Sequence, residues 1–405
     1  MPGQAFEGVR VIEFGDFISA PFAAKLMADL GAEVIKIEEP KVGDESRRFG
    51  PFPGDIPHLE KSGLFAYLNS NKHSINLNPR VATGADVFKE LLRNADILVE
   101  NQQPNVMKDL GLEYDTVGKV NPNLLMTSIT TFGRTGPYKD YKGYDLTAWQ
   151  GSGSGHRFLG YPDREPLRAA WYLASHWAAI SAATATSLAL YARDVIGSGQ
   201  HIDVSATDTL ATILMGYQLV TLYHMTGETE VRKGHVMGNM PPAGMFPCKD
   251  GYVYVLALEA HQWDGLVKAM GEPDWAKASM FAGPAWNRLQ YQDEIYALMQ
   301  PWLDSHTKEE IFAACQANRV PSGPVYNPKD LLENQHLNER GFFAETDHPM
   351  LGHLKMLGAP YKLSETPWSL RTPAPLLGQH NEEVYCGTLG FSKVDLVDLR
   401  RTGVI

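Results

Sequence analysis

Apolar runs separated by polar or glycine-containing turns predict alternating strands and helices in the first part of the chain. Residues 9–14 are typical of a strand, and Gly15–Pro21 are typical of a turn. The following stretch, to about Leu30, predicts a helix with Ser19 as its N-cap. Residues 33–38 are the next predicted strand. A strand, a helix and a strand in this order predict a parallel pair joined by a right-handed crossover.

The same pattern returns further along the chain. Strands are predicted at 96–100 and 124–130, each after a helical stretch. A long helix rich in small residues is predicted at about 174–193, followed by a turn and a strand within 197–205. This alternation predicts an α/β fold with a doubly wound, Rossmann-like parallel sheet.

From about residue 225 the pattern changes to a strand at 251–256 surrounded by amphipathic helices. A chain of 405 residues is long enough for two hydrophobic cores. We therefore predict a large Rossmann-like domain built from both chain ends, residues 1–224 and 331–405. A smaller α/β domain, residues 225–330, is inserted between them.

The composition narrows the function. The net charge is −11 and no Lys/Arg block stands out, which disfavours a nucleic-acid partner. The most apolar stretch, 169–192, contains His176 and several hydroxyl side chains, so it predicts a buried helix rather than a membrane span. The three cysteines have no metal-ligand spacing and no signal peptide pattern is present, so we expect a reduced, cytoplasmic protein without a metal site.

Neither glycine-containing turn carries a nucleotide fingerprint. The turn at Gly15–Pro21 lacks G-x-G-x-x-G, and the run at 151–155 lacks both that spacing and a following Lys-Ser/Thr. Glycine and serine favour loops, so the run at 151–155 predicts a flexible loop.

Several short strings, in their order and spacing, carry a resemblance to a known family. They are 11–14 with Ala20-Pro21, 31–38, Gly43-Asp44 with Arg47, 69–77, 96–101, Phe132-Gly133 with 135–137, 197–200, 320–325 and 375–380. Together they resemble the class III CoA-transferases of the formyl-CoA/carnitine, or CaiB/BaiF-like, type. The resemblance implies the two-domain split given above and a dimer whose two chains interlock like links.

The resemblance also implies a chemistry. An aspartate attacks an acyl-CoA thioester to give a mixed anhydride, the CoA thiolate returns to form an enzyme–CoA thioester, and a carboxylic acid then takes the CoA. Coenzyme A and acyl-CoA are substrates in this scheme, and no tightly bound cofactor is implied. The nucleophile must itself be a carboxylic acid, because it has to carry CoA as a thioester.

Where the family has this aspartate, at the start of the small-residue helix, the sequence has Ser175. Serine has no carbonyl group to hold CoA, so no catalytic residue is expected in this chain. Asp145, which matches an acidic position beside the family site, and Asp163 remain possible substitutes. The histidine of the related racemases falls on Tyr144. A hydrolase role for Ser175 is disfavoured because no nucleophile elbow is present, and a helix-capping serine is the favoured alternative.

The resemblance further implies contacts with CoA, and they fall on Phe17, Ile18, Ser19, Leu77, Arg80, Asn101, Gln102, Lys142 and Tyr144. Cations suit the phosphates, and apolar side chains suit the adenine ring. Arg80 and Lys142 fit an ordinary charged surface equally well. Two departures weaken the match, because Glu39 and Asp109 stand where basic contacts are common.

These observations predict a non-catalytic subunit of a CoA-transferase whose partner is a paralogue that keeps the aspartate, in an interlocked heterodimer. The expected substrates are an acyl-CoA such as succinyl-CoA and a carboxylic acid. Four aromatic residues, Trp149, Trp171, Tyr172 and Trp177, would suit a large apolar acid such as an aromatic succinate, although core packing explains them too. The sequence leaves open a homodimeric CoA-ester isomerase or lyase using Asp145 or Tyr144, and an acyl-CoA-binding scaffold.

Overall fold

The structure is a computed structural model that describes residues 3–234 and 240–405, without the side chains of 214–218. The chain forms two compact units. The first comprises the chain up to Gly155, Arg168–Thr229 and Arg340–Ile405, and the second comprises His156–Leu167 and Glu230–Glu339.

The second unit differs from the predicted domain 225–330 by beginning at Glu230, extending to Glu339 and including residues 156–167, which the prediction places in the large domain. The buried Arg232 explains the last of these differences. Its guanidinium donates hydrogen bonds to the carbonyl oxygens of Tyr161, His156 and Arg164 at 3.2, 2.9 and 2.8 Å. These bonds hold the earlier segment against the later one, a long-range contact that no local pattern announces.

A six-stranded sheet forms the centre of the first unit. Its strands, all parallel, are β1 (Arg10–Phe14), β2 (Glu33–Glu38), β3 (Lys72–Asn76), β4 (Ile97–Glu100), β5 (Leu125–Thr130) and β6 (His201–Ser205). The strand order is β3-β2-β1-β4-β5-β6, so the order reverses between β1 and β4. The predicted α/β class and the doubly wound sheet are confirmed.

Helices cover both faces of this sheet. Those up to the end of β6 are α1 (Ser19–Ala28), α2 (Gly63–Leu68), α3 (Ala82–Arg93), α4 (Pro104–Asp109), α5 (Tyr114–Val120), α6 (Asp145–Gly151), α7 (Ser154–Arg157) and α8 (Leu173–Ile196). Neighbouring strand residues such as Val11 and Ile12 point to opposite faces and enter two different core clusters. Alanines 174, 178 and 182 form a buried stripe along α8, which lets this helix pack closely in the core that contains Val11.

The remaining α-helices and strands complete both units. They are α9 (Ala206–Leu210), α10 (Thr221–Thr226), β7 (Ala243–Cys248), β8 (Gly251–Leu256), α11 (Ala260–Ala269), α12 (Gln292–Ser305), α13 (Lys308–Ala317), β9 (Ser322–Pro324), α14 (Pro328–Glu333), α15 (Gln335–Glu339), β10 (Phe343–His348), β11 (Gly352–Leu357) and α16 (Lys393–Arg401), with π-helical turns at Ala211–Val220 and Glu383–Thr388. In the second unit β7, β8 and β9 form an antiparallel sheet with its own hydrophobic core.

The flexible loop predicted at 151–155 is wrong. Gly151 ends α6, and α7 begins at Ser154. The hydroxyl of Ser152 donates to the carbonyl oxygen of Trp149 and lies 2.8 Å from the hydroxyl of Ser154, and both serines are buried. Serine hydroxyl groups here bond to the local backbone instead of to water, and this fixes the segment. Among the described residues, no helix is both long enough and apolar enough to cross a membrane.

Candidate functional site

A cavity of about 180 Å³ opens at the carboxyl ends of β1, β4 and β5. The strand order reverses between β1 and β4, and in open α/β sheets this crevice is the usual ligand site. Its walls come from the turn after β1, the segment after β4, the end of β5 and the first turns of α6 and α8.

The turn after β1 is held from two sides. A Cβ atom on Gly15 would come within 2.2 Å of the Ala20 side chain, so only glycine allows this close approach of strand and helix. Asn101, just after β4, accepts a hydrogen bond from the Asp16 N–H at 2.9 Å, and its amide group donates to the Asp16 carbonyl oxygen at 2.7 Å. The Asn101 amide also donates to the Ser19 hydroxyl. The prediction that Ser19 is the N-cap of α1 is wrong, because Ile18 holds that position and makes no side-chain capping bond.

Ser175 lies in the first turn of α8 and lines the cavity. Its N–H and its hydroxyl group both donate to Oδ2 of Asp145, at 2.9 and 3.2 Å. Tyr172 precedes α8 in a left-handed conformation (φ 56°) and provides no side-chain cap. The helix is therefore capped by Asp145 from α6, and the expectation that Ser175 is the cap is wrong.

The neighbouring histidine does not assist Ser175. His176 Nδ1 lies 2.9 Å from the Tyr172 carbonyl oxygen, and its ring packs edge-on against Phe22. His176 is therefore not placed as a general base for Ser175, and a Ser–His pair of the hydrolase type is not formed.

The structure brings most of the predicted CoA contacts to the sheet's carboxyl edge. Phe17, Ile18, Ser19, Asn101, Gln102 and Tyr144 line the first cavity together with Asp145 and Ser175. Leu77, Arg80 and again Gln102 line a second cavity of about 180 Å³ at the ends of β1, β2 and β3. Lys142 lines neither cavity and is exposed. The binding roles of these residues stay predictions.

Sequence reasoning missed several cavity residues. Lys139, rather than Lys142, is the basic side chain that lines the first cavity among the described residues. Arg48 lines the second cavity, whereas its neighbour Arg47, which belongs to the family strings, is buried and pairs with Glu38. Glu39 also lines the second cavity, where its charge opposes that of an anionic ligand.

The aromatic prediction also needs correction. Of the four residues proposed, Tyr172 alone lines the first cavity: Trp149 is 2% exposed in the core, Trp171 is 80% exposed, and Trp177 packs against the core. Trp149 turns inward because it lies on the buried side of α6. The aromatic side chains that do line the cavity are those of Phe17, Phe132, Tyr141, Tyr144 and Tyr172.

Asp16 is the missed residue with the most unusual chemistry, and it lines both cavities. Burial raises its pKa, the charge of Asp44 raises it further, and the result is a pKa of about 7. Its place directly after β1 was a usable signal, because ligand sites of such sheets lie at the strand ends. The charged groups that alter its pKa, those of Asp44 and Lys36, come from other parts of the chain.

Glu100 holds residues next to the first cavity in place. It is fully buried at the end of β4, accepts the N–H of Gln102 at 2.7 Å and pairs with Arg134 at 2.8 Å. Burial raises the pKa of Glu100 to about 7, although the Arg134 charge acts in the other direction. Glu100 thus fixes one cavity residue and the start of the loop that carries Lys139.

The described residues contain no group of three or more His, Cys, Asp or Glu side chains arranged to hold a metal ion.

A Rossmann-type sheet with a cavity at its switch point defines the class of the fold, and the comparisons with known proteins identify the family. The chain belongs to CoA-transferase family III, whose model matches residues 6–381. This confirms the resemblance found in the sequence.

Similar proteins cover nearly the whole chain. It is 31% identical to succinyl-CoA–D-citramalate CoA-transferase of Chloroflexus aurantiacus, over 100% of this chain and 99% of the relative. It is 32% identical to formyl-CoA:oxalate CoA-transferase of Streptomyces coelicolor, over 100% of both chains. A crystal structure of a CAIB/BAIF family protein from Brucella suis matches with a TM-score of 0.84 and 27% identity, over 95% of this chain and 99% of that one.

Proposed function

We propose that this chain is the nucleophile-lacking subunit of a heteromeric CoA-transferase that moves CoA from an acyl-CoA to a carboxylic acid. One observation carries the proposal. At the family's nucleophile position the cavity presents the hydroxyl group of Ser175, which is hydrogen-bonded to Asp145. The serine side chain has no carboxyl group of its own, so it cannot carry CoA as an enzyme–CoA thioester. The carboxylate that does so therefore belongs to a paralogous subunit.

Asp145 is a poor substitute nucleophile in this arrangement. Its Oδ2 accepts two hydrogen bonds from the first turn of α8, so attack on a thioester by this oxygen would give up these bonds. A carboxylate that caps a helix is stabilised as an anion, which lowers its nucleophilicity. These bonds argue against an isomerase or lyase that uses Asp145.

For the substrates we propose succinyl-CoA as donor and (R)-benzylsuccinate as acceptor. Within the family the sequence resembles the aspartate-lacking subunit of succinyl-CoA:(R)-benzylsuccinate CoA-transferase, an enzyme of anaerobic toluene breakdown. Two features support an aromatic acid: the ring-lined cavity wall, where Phe17 packs edge-on against Tyr172, and Lys139 as a cation for a carboxylate. Arg48 and Arg80 in the second cavity suit the phosphates of CoA.

Co-expression with an aspartate-bearing paralogue, followed by substitution of that aspartate with asparagine, tests the proposal. We expect the complex to transfer CoA from succinyl-CoA to benzylsuccinate, the asparagine variant of the partner to lose transfer, and Ser175→Ala in this chain to keep most of it. Transfer by this chain alone, or by the complex without the partner's aspartate, would contradict the proposal.

A further inference from the structure

The carboxyl groups of Asp16 and Asp44 lie against each other between the two cavities. Oδ1 of Asp16 accepts the N–H groups of Phe17 and Glu45, and the Phe17 N–H also lies 3.2 Å from Oδ1 of Asp44. The two Oδ1 atoms thus share the Phe17 N–H as a donor, which places the two carboxyl groups side by side. Two carboxylates this close repel each other, which favours a proton on one of them.

The buried charges beneath the pair decide which group keeps it. Lys36 lies between Glu13 and Asp44, at 2.6 and 2.5 Å, and Lys72 pairs with Glu13 at 2.7 Å. Two ammonium groups are thus balanced by two carboxylates before Asp16 is counted. Burial raises the pKa of Asp44, but Lys36 and Ser46 more than offset this, so its pKa stays below the usual value. Asp16 is therefore the group that carries the proton.

Charged and titratable side chains from the elements around Asp16 line the two cavities with it or belong to the buried ion pairs beneath it. They are Glu13 from β1, Lys36 and Glu38 from β2, Glu39, Asp44 and Arg48 from the segment after β2, Arg80 after β3, Lys139, Tyr141 and Tyr144 after β5, Asp145 on α6, and Tyr172 before α8. The charge of Arg47 neutralises that of Glu38. The negative charges of Asp145 and Glu39 reduce the positive charge that the cations bring to the cavities. An ionised Asp16 would add one more negative charge where an anionic ligand has to fit.

We propose that Asp16 is a ligand-binding residue that presents a neutral carboxyl group to an anionic ligand, and that it takes up a proton from solvent when that ligand binds at a pH where Asp16 is ionised in the free protein. The inference rests on the proposed function, because it takes the ligand to be the phosphate-bearing CoA portion of an acyl-CoA. The step is a proton transfer without oxidation or reduction: the bond between the proton and its solvent or buffer donor breaks, and an O–H bond on Asp16 forms. Ionised Asp16, a proton and the ligand give the protonated complex.

The test uses the full chain with coenzyme A as the probe. Titration calorimetry at several pH values between 6 and 8.5, in two buffers of different ionisation enthalpy, gives Kd and the number of protons taken up. Asp16→Asn mimics the neutral carboxyl group, since its amide still donates toward Asp44. Glu45→Gln is the matched control, because only the backbone N–H of this exposed residue contacts Asp16.

In the wild type, ionisation of Asp16 should leave the Kd for coenzyme A unchanged below pH 7. Above pH 7 it should raise this Kd by up to tenfold per pH unit. Asp16→Asn should lose this dependence and Glu45→Gln should keep it, while the probe's own titration is common to all three proteins. Binding with the same pH dependence and proton uptake in the wild type and Asp16→Asn contradicts this inference alone. Failure of the wild type to bind coenzyme A at every pH contradicts the proposed binding function as well.

Discussion

Asp16 and Asp145 line the same cavity, but the fold gives their carboxyl groups opposite surroundings. Asp145 accepts two hydrogen bonds from the first turn of α8, where the helix dipole favours an anion. Asp16 lies against Asp44, which Lys36 already holds as a carboxylate, so an ionised Asp16 meets a like charge.

The difference shows that the local environment, not the residue type, assigns the role of each carboxyl group. Asp145 is built into the helix cap and positions Ser175. Asp16 is the group whose charge can change near neutral pH. The following substitutions separate these roles, beginning with the largest expected effect.

Lys36→Met should have the largest effect, because it removes the ammonium group that separates Glu13 from Asp44. All three side chains are fully buried in these pairs, and the substitution leaves Asp44 without its cation, while Lys72 still pairs with Glu13. Removing one partner of a buried ion pair costs about 3–5 kcal/mol. We expect the free energy of unfolding to fall by that amount in urea denaturation at pH 7.

Lys119→Met is the control for this substitution, since Lys119 is exposed near the end of α5. It should change the free energy of unfolding by less than about 0.5 kcal/mol. A comparable loss for the two lysine variants would mean that the buried charge network does not stabilise the turn after β1.

Asp16→Asn tests whether the Asp16 carboxyl group makes the free energy of unfolding depend on pH. The pKa of Asp16 in the folded protein, about 7, exceeds its ordinary value of 3.8, so the folded state holds a proton that the unfolded state releases. The stability from this group is complete below pH 3.8 and is lost as pH rises through 7. Between pH 5 and 7.5 the wild type should lose roughly 2 kcal/mol more than Asp16→Asn. Parallel pH profiles of the free energy of unfolding would contradict the assigned proton.

Asp145→Ala tests the other carboxyl group. It removes the acceptor for the Ser175 N–H and hydroxyl group, and loss of a cap costs about 1–2 kcal/mol. Thermal unfolding should show the loss, and Asp145→Asn should recover most of it because an amide oxygen can still accept. An equal loss for both variants would mean that the carboxylate charge, rather than the cap, stabilises this turn.

The sequence predicted the sheet well because buried parallel strands are recorded as local apolar runs. Residues 33–38 match β2 residue for residue, and 96–100 includes all of β4. The cavity was harder to predict, since Lys139 and Lys142 differ in their access to it through the path of one loop. The environment of Asp16 was harder still, because Asp44 and Lys36 reach it from another turn and another strand. Local patterns record which residues are apolar, but not which buried charges meet.

Ser175→Ala should have the smallest effect of these substitutions. It removes the 3.2 Å hydrogen bond from the hydroxyl group but keeps the 2.9 Å bond from the Ser175 N–H, so the cap survives. A single side-chain hydrogen bond contributes about 0.5–1.5 kcal/mol, and the length of this one places it at the lower end. A double-mutant cycle with Asp145→Ala measures the coupling through urea denaturation. A coupling near zero would mean that the hydroxyl group is available to a ligand rather than committed to Asp145. The surroundings of Asp145 and Asp16 would then differ less than the geometry indicates.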